Sequence, residues 1–317
     1  MIHSIETNDK PLKVSKVKKI QKNIKENKWL YLLAIPGLLY FLLFKYGPMF
    51  GLVIAFQDYV PHLGIAESKW VGIENFKDFF INPDFFRLMR NTLMLAFLNI
   101  AIVFPAPIIL ALLLNEIRNA LYKRFVQTLV YIPHFLSWTI VVSIFYILFT
   151  VDGGAIVTLV NQITGQEIDF LTNPNWFRPM IILQNIWKET GWGTIIFLAA
   201  LANVDQEQYE AAIMDGAGRF ARLWHVTLPA IRSTIILMLI MRVGSILNTG
   251  FDQIYLMTNA LNRSVADVFD TYVYMLGITQ GAYSYSTAVG LFKSVVGVIL
   301  VFSTNKLAKY FGQSGLY

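Results

Sequence analysis

Six stretches of this sequence, 29–56, 90–114, 125–149, 180–202, 234–256 and 286–305, are dominated by apolar residues. A run of about twenty such residues in a helix matches the hydrocarbon thickness of a bilayer. Inside lipid the backbone must satisfy its own hydrogen bonds, so only helices and closed barrels cross. Runs this long predict helices, and the expected fold class is all-α, a polytopic membrane protein with six transmembrane helices. Pro36 and Gly47-Pro48 lie in the first run, Pro105 and Pro107 in the second, and Pro133 in the third. Each proline removes a backbone donor and is expected to kink or break its helix. Composition agrees: 15% of the residues are charged, against roughly 25% in an average soluble domain. The 24 Phe, 15 Tyr and 7 Trp cluster near the ends of the runs, as aromatic belts at the two interfaces do.

Six crossings put both termini on one side, and the placement of Lys and Arg indicates which side. Of the 26, 16 fall in residues 1–28, 115–124, 203–233 and 306–317, while 6 fall in 57–90, 150–179 and 257–285. The remaining four, Lys45, Lys188, Arg242 and Lys293, lie within runs. Basic flanks stay in the cytoplasm, so both termini and the 203–233 segment are expected there. The chain reads as a basic cytoplasmic tail over 1–28, a transmembrane domain over 29–305 and a cytoplasmic C-terminal tail over 306–317. The N-terminal tail holds eight lysines, yet beside an apolar run it reads as a membrane flank and not as a nucleic-acid arm. It is too long for a secretory signal and lacks a small-residue cleavage site.

Chemistry of its own is not expected. There is no cysteine, which removes disulfides, thiol catalysis and thiolate metal sites. Four scattered histidines without HExxH, GxSxG or GxxxxGK[ST] offer no metal, no catalytic set and no phosphate loop.

The densest pattern is EAAIMDGAGRFARLWHVTLP, Glu210 to Pro229. Asp205 is placed to cap a helix from Gln206, with Gln208 completing a capping-box pattern. Tyr209, Ala212, Ile213 and Gly216 then share one face by helical spacing. Ala211 and Ala212 let a partner approach closely, and Gly216 and Gly218 permit a sharp turn into a second short helix. Pro229 suits the first turn of the following helix. The predicted object, at about 203–231, is a helix-turn-helix with a small-residue face.

The spacing E-A-A, three residues, Gly216, nine residues, Val226, one residue, Leu228-Pro229 resembles the EAA loop of ABC-importer permeases. The resemblance extends over nearly the whole chain after residue 28. WVGIENFKDFF at 70–80 with NTL at 91–93, YIPHFLSW at 131–138, and IWKETGW at 186–192 with IIFLAAL at 195–201 are similar to the carbohydrate-uptake branch. FDQIYLMTN at 251–259 and TYVYMLGI at 271–278 resemble its subgroup importing polysaccharide-derived oligosaccharides such as rhamnogalacturonan or alginate fragments. One departure is Val204-Asp205 where the family often has Ile-Pro; an Asp cap preserves the helix start.

The resemblance implies the type I importer permease fold with cytoplasmic EAA coupling helices. It implies an assembly of a homologous second permease subunit, two ABC ATPase subunits and an extracellular solute-binding protein, in a bacterial cell membrane. ATP and Mg belong to the ATPases, and no cofactor is expected in this chain. Tyr209, Glu210, Ala211, Ala212, Asp215, Gly216, Ala217, Leu228 and Pro229 are the implied ATPase-coupling residues. The Lys-rich tail fits an AT-rich genome of Gram-positive type.

Ionisable groups inside spans are costly and therefore candidate functional groups. Trp187, Lys188, Glu189 and Trp192 lie in the fourth run, Arg242 in the fifth and Lys293 in the sixth. Asn248, Asp252 and Tyr255 are spaced i, i+4, i+7, one face of a fifth-span helix, with Phe251 beside them. Rings stack on sugar faces, and amides and carboxylates bond hydroxyls. Against a substrate role stand a Lys188–Glu189 salt bridge between helices, snorkelling of Arg242 and a helix–helix contact of Lys293. His134 reads as structural, with no carboxylate nearby in sequence. Lys188, Arg242 and Lys293 against Glu189 and Asp252 favour an acidic, uronate-containing oligosaccharide. The competing readings are an ABC-importer permease for a non-carbohydrate solute, an ion-coupled secondary transporter, and a membrane enzyme.

Overall fold

A computed structural model describes residues 25–310. Most of the basic tail and the last seven residues, 311–317, lie outside the described residues. The chain divides into two compact units that part after Val53. The first carries most of α1 (Lys28–Phe56), a helix of 29 residues.

The second unit opens with a two-stranded antiparallel ribbon, β1 (Gln57–Asp58) and β2 (Lys69–Trp70). Then come α2 (Glu74–Ile81), α3 (Asp84–Asn115), α4 (Ala120–Phe135), α5 (Trp138–Phe149) and α6 (Ala155–Thr164). The 29-residue α7 (Pro174–Ala202) is followed by α8 (Gln206–Met214) and α9 (Arg219–Gly244). The chain closes with α10 (Phe251–Met257), α11 (Phe269–Tyr274) and α12 (Tyr283–Tyr310). The all-α expectation holds; helix length and composition do not confirm six spans. Among the described residues four helices, α1, α3, α9 and α12, are long and apolar enough to cross a membrane, and α4 with α5 add a fifth if taken as one bent span. The fourth predicted span, α7, has the length, but Arg178, Gln184, Asn185, Lys188 and Glu189 dilute its apolar character.

Prolines explain much of the local geometry. Pro48, Pro105 and Pro229 each stand two residues beyond a π turn, at Leu42–Tyr46, Asn99–Val103 and Leu223–Thr227. A proline ring collides with the carbonyl four residues earlier and leaves it without a donor. Those carbonyls belong to Phe44, Ala101 and His225, the middle residue of each π turn. One extra residue in the turn carries the carbonyl aside. The helix therefore continues, and the expected kink or break at Pro105 and Pro107 is absorbed inside α3. Pro133 does break its helix: it lies in a 3₁₀ turn, Ile132–Phe135, and α4 and α5 meet at 103°.

Two further corrections concern the predicted fifth span and the loop before it. The span over 234–256 ends at Gly244, residues 245–250 are not helical, and α10 begins at Phe251 after Gly250 at φ +90°. The second loop helix is also not separate. Through the π turn, Arg219–Gly244 is one helix of 26 residues, and Pro229 lies within it.

Three apolar cores hold the second unit. One gathers Leu95, Val141, Phe145, Phe177, Ile181 and Ile254, joining α3, α5, α7 and α10. A second gathers Ala111, Phe197, Leu201, Val204 and Ile231, with Tyr209 against it. The third, Phe79, Leu88, Phe269 and Val289, ties α2 and α3 to α11 and α12. At the crossing of α7 and α4 the backbones nearly touch: a Cβ on Gly191 would lie 1.8 Å from the Val130 carbonyl oxygen. Only glycine permits that approach.

Candidate functional site

Polar side chains of α7 recur as Gln184, Asn185, Lys188 and Glu189, a stripe along one helix. Their surroundings differ residue by residue. Gln184 is fully buried and accepts from the Gln253 amide nitrogen at 2.9 Å, locking α10 to α7. Lys188 is buried to 6% exposure and donates to the His134 and Leu136 carbonyls at 2.6 and 2.7 Å. Those carbonyls lie where α4 ends and the chain breaks before α5, so the ammonium caps the bend. It also lies 5.4 Å from the centre of the Trp138 ring. Glu189 approaches Lys188 at 3.9 Å and meets His134 Nδ1 at 3.2 Å. The expectation of a histidine without a carboxylate is thus corrected. The His134 ring stacks on Trp192 with centroids 4.5 Å apart and planes 4° apart.

Glu189, Arg242 and Ser245 are shared by two adjoining cavities. One is the more polar: Asn99, Trp138, Asn185, Asn248, Thr249 and Gln253 complete much of its wall. The other is mostly apolar, with Phe104, Pro107, Trp192, Phe197, Met238 and Met241. Arg242 donates to Asn99 Oδ1 at 3.2 Å, and Asn185 donates to the same oxygen at 3.3 Å. One amide oxygen thereby joins α3, α7 and α9. Among the described residues Arg242 has no carboxylate oxygen within 4.0 Å. Its guanidinium turns to the cavity wall rather than snorkelling away.

The other sequence candidates divide. Glu189, Trp192 and Asn248 line the two cavities. Asn248 precedes α10 and is not on one helix face with Asp252 and Tyr255, because the helix is interrupted at 245–250. Phe251 and Tyr255 stack at 5.3 Å and both contact Tyr274, an aromatic cluster of their own. Asp252 is exposed, and Trp187 packs on Phe145 at 6.2 Å. Lys293 is bonded to Asp270, so its charge is cancelled in place. Sequence reasoning misses Asn99, Asn185, Ser245, Thr249 and Gln253. The available signal for Asn185 is its i, i+4 relation to Glu189.

At the loop, the Asp205 side chain accepts from the Glu207 amide at 2.9 Å and caps α8. The helix ends on Gly216 at φ +78°, with the Gly216 amide on the Ile213 carbonyl and the Ala217 amide on the Ala212 carbonyl. This is the Schellman closure, which needs a left-handed residue at that position. Tyr209 and Ala212 are partly buried while Ile213 and Gly216 are exposed, so the four do not form one outward face. The Tyr209 hydroxyl instead meets Thr227 Oγ1 at 2.9 Å, fastening α8 to the π turn of α9. Glu210, Ala211 and Asp215 are exposed, Ala217 and Leu228 are half-buried, and Pro229 is exposed. Met214, Phe220 and Trp224, 87%, 80% and 65% exposed, extend an apolar surface that the motif alone does not reveal.

Comparison with known proteins accords with this geometry. Residues 103–313 match the family described as binding-protein-dependent transport system inner membrane component. Protein LplB of Bacillus subtilis is 71% identical over 93% of this chain and 92% of its own length. The polygalacturonan/rhamnogalacturonan transport system permease protein YteP of the same organism is 58% identical over 96% of this chain and 95% of its own. Among solved structures, a chain of a bacterial alginate ABC transporter, crystallised in complex with an alginate pentasaccharide-bound periplasmic protein, is 37% identical with a TM-score of 0.86. The match covers 93% of this chain and 99% of that one. This chain belongs to the binding-protein-dependent transport system inner membrane components, the permease subunits of bacterial ABC importers.

Proposed function

We propose that this permease passes acidic oligosaccharides, uronate-containing fragments of polysaccharides, through the joined cavities around Arg242. The observation that carries the reading is electrostatic. Of the cations in the second unit's spans, Lys188 is held by two carbonyls beside Glu189 and Lys293 is paired with Asp270. Arg242 alone of these three lines the cavities without a carboxylate partner among the described residues. Arg242 is exposed to the cavities and bonded to the neutral Asn99 amide, with Glu189 on the same walls beyond ion-pair distance, and such a guanidinium offers a bidentate site to a carboxylate. Trp138 and Trp192 supply ring faces, and Asn99, Asn185 and Asn248 supply hydroxyl partners. The polygalacturonan/rhamnogalacturonan permease and the alginate transporter among its relatives support the same substrate class.

Transport is by alternating access with a second permease, two ATPases carrying ATP and Mg, and a solute-binding protein. Tyr209, Glu210, Ala211, Ala212, Asp215, Gly216, Ala217, Leu228 and Pro229 form the coupling element. The exposed Met214, Phe220 and Trp224 beside them support a docking surface, since contiguous exposed apolar side chains mark interaction sites. The charge asymmetry supports cytoplasmic termini, and the Bacillus subtilis relatives support a Gram-positive membrane.

The test is uptake by the full complex in proteoliposomes, comparing tetragalacturonate with a neutral tetrasaccharide accepted by the same binding protein. Arg242→Gln is expected to lower acidic uptake by about tenfold, the order of one lost charge-assisted contact, and to spare the neutral sugar. Equal loss of both would make Arg242 structural and overturn the acidic reading.

A further inference from the structure

Four charged or titratable side chains meet where α7 crosses the α4–α5 bend: Lys188, Glu189, His134 and, across the cavity wall on α9, Arg242. His134 is held from three directions. Its ring nitrogen is 3.2 Å from the Glu189 carboxylate, its ring stacks on Trp192, and its backbone carbonyl accepts from Lys188. Phe135 meets the ring edge-on at 5.8 Å, and Tyr131 precedes it on α4. Glu189 is the link, because the carboxylate that bonds His134 also lines both cavities beside Arg242.

We infer that His134 is a specificity-determining residue: its protonation sets how strongly the cavity discriminates for acidic over neutral sugars. With His134 neutral, Lys188 and Arg242 against Glu189 leave the group one net positive charge. With His134 protonated the group carries two, and the charge of the Glu189 carboxylate that bonds the ring is offset in place, so less of it opposes the sugar's carboxylate. A neutral sugar senses neither change. The inference rests on the acidic-substrate reading and deepens it.

The experiment uses the full complex in proteoliposomes at sub-saturating sugar, from about pH 5.5 to 8.5, the range in which histidines commonly change charge. Each variant is compared with wild type at every pH, with the same binding protein, so the pH response of that protein cancels. The wild-type rate for tetragalacturonate is expected to rise by about tenfold from the alkaline to the acid end relative to His134→Gln, on the scale of one added charge at cavity distance. The neutral tetrasaccharide should give a constant ratio. Glu189→Gln removes the anion and should raise acidic uptake above wild type at every pH while sparing the neutral sugar, which keeps the test decisive where His134→Gln fails to assemble. If assembled His134→Gln keeps the wild-type pH response, or assembled Glu189→Gln fails to raise acidic uptake, the inference is overturned while the acidic reading stands. If neutral and acidic sugars respond alike throughout, and Arg242→Gln affects both, the acidic reading itself fails.

Discussion

Lys188 is a residue whose role changes once its neighbours are known. An ammonium inside a span is expensive and invites a functional reading. Here its protons go to two carbonyls that have no helical donor, because α4 ends in the 3₁₀ turn at Pro133. Replacing it with Met would leave both partly buried carbonyls unpaired, each costing up to about 1–3 kcal/mol. Lys188→Met is therefore expected to lower the thermal midpoint of the detergent-purified complex and to loosen the bend. An unchanged midpoint would mean that water reaches the bend and the lysine is free to serve the sugar. The sequence marks Lys188, Glu189 and Trp192 as a group but not what they grip, since His134 and Leu136 are 54 and 52 residues away. Hydropathy registers a charge in a span; it does not register a carbonyl freed on another helix.

The helices show the same limit and its exceptions. Prolines are visible in the sequence as disturbances, yet Pro36 stays inside an unbroken α-helical stretch, Pro48, Pro105 and Pro229 only widen a turn, and a 103° bend follows Pro133. The end of α9 is legible in a different way. The cluster Gly244-Ser245 and Asn248-Thr249-Gly250 has the composition of a loop, and the apolar residues around it mask that signal. Helix α8, by contrast, is readable almost to the residue, because caps and left-handed glycines are local chemistry. Gly216→Leu puts that local chemistry to the test, placing a branched side chain at φ +78°, at a cost of about 1–2 kcal/mol for an L-residue. A Cβ there meets nothing within 4 Å, so the strain is conformational and confined to the loop. The spans should fold and the complex should keep basal ATP hydrolysis, while sugar-stimulated hydrolysis falls severalfold. Full stimulation in the variant would separate the turn from coupling.

Across the molecule, the interrupted segment 245–250 is the wall between cavities. Asn248 faces the polar cavity on one side and, on the other, a third cavity lined by Asp270, Lys293 and Gly297. What holds this unwound stretch is the ion pair between α11 and α12. Asp270 bonds Lys293 with one oxygen and accepts from the Thr249 amide with the other at 3.3 Å. The pair thus fixes backbone that has no helix ladder to satisfy it, at a cavity wall in a chain whose spans offer little water. Breaking one partner and removing both should differ. Asp270→Asn leaves Lys293 partly buried without its anion and should be strongly destabilising, by about 3 kcal/mol or more before allowance for its residual solvent contact. The double variant Asp270→Asn with Lys293→Met removes the orphan charge and should recover much of that loss, because a buried pair replaced by apolar volume is often near neutral. Acidic uptake should recover with it, since Arg242, the proposed receptor for the sugar's carboxylate, is on the other side of the wall. Thermal unfolding and tetragalacturonate uptake of the three variants, including Lys293→Met alone, measure the coupling directly. If the double variant regains stability but not uptake, Lys293 contacts the sugar and the third cavity lies on the path; if it regains both, the pair is the strut that keeps the break open.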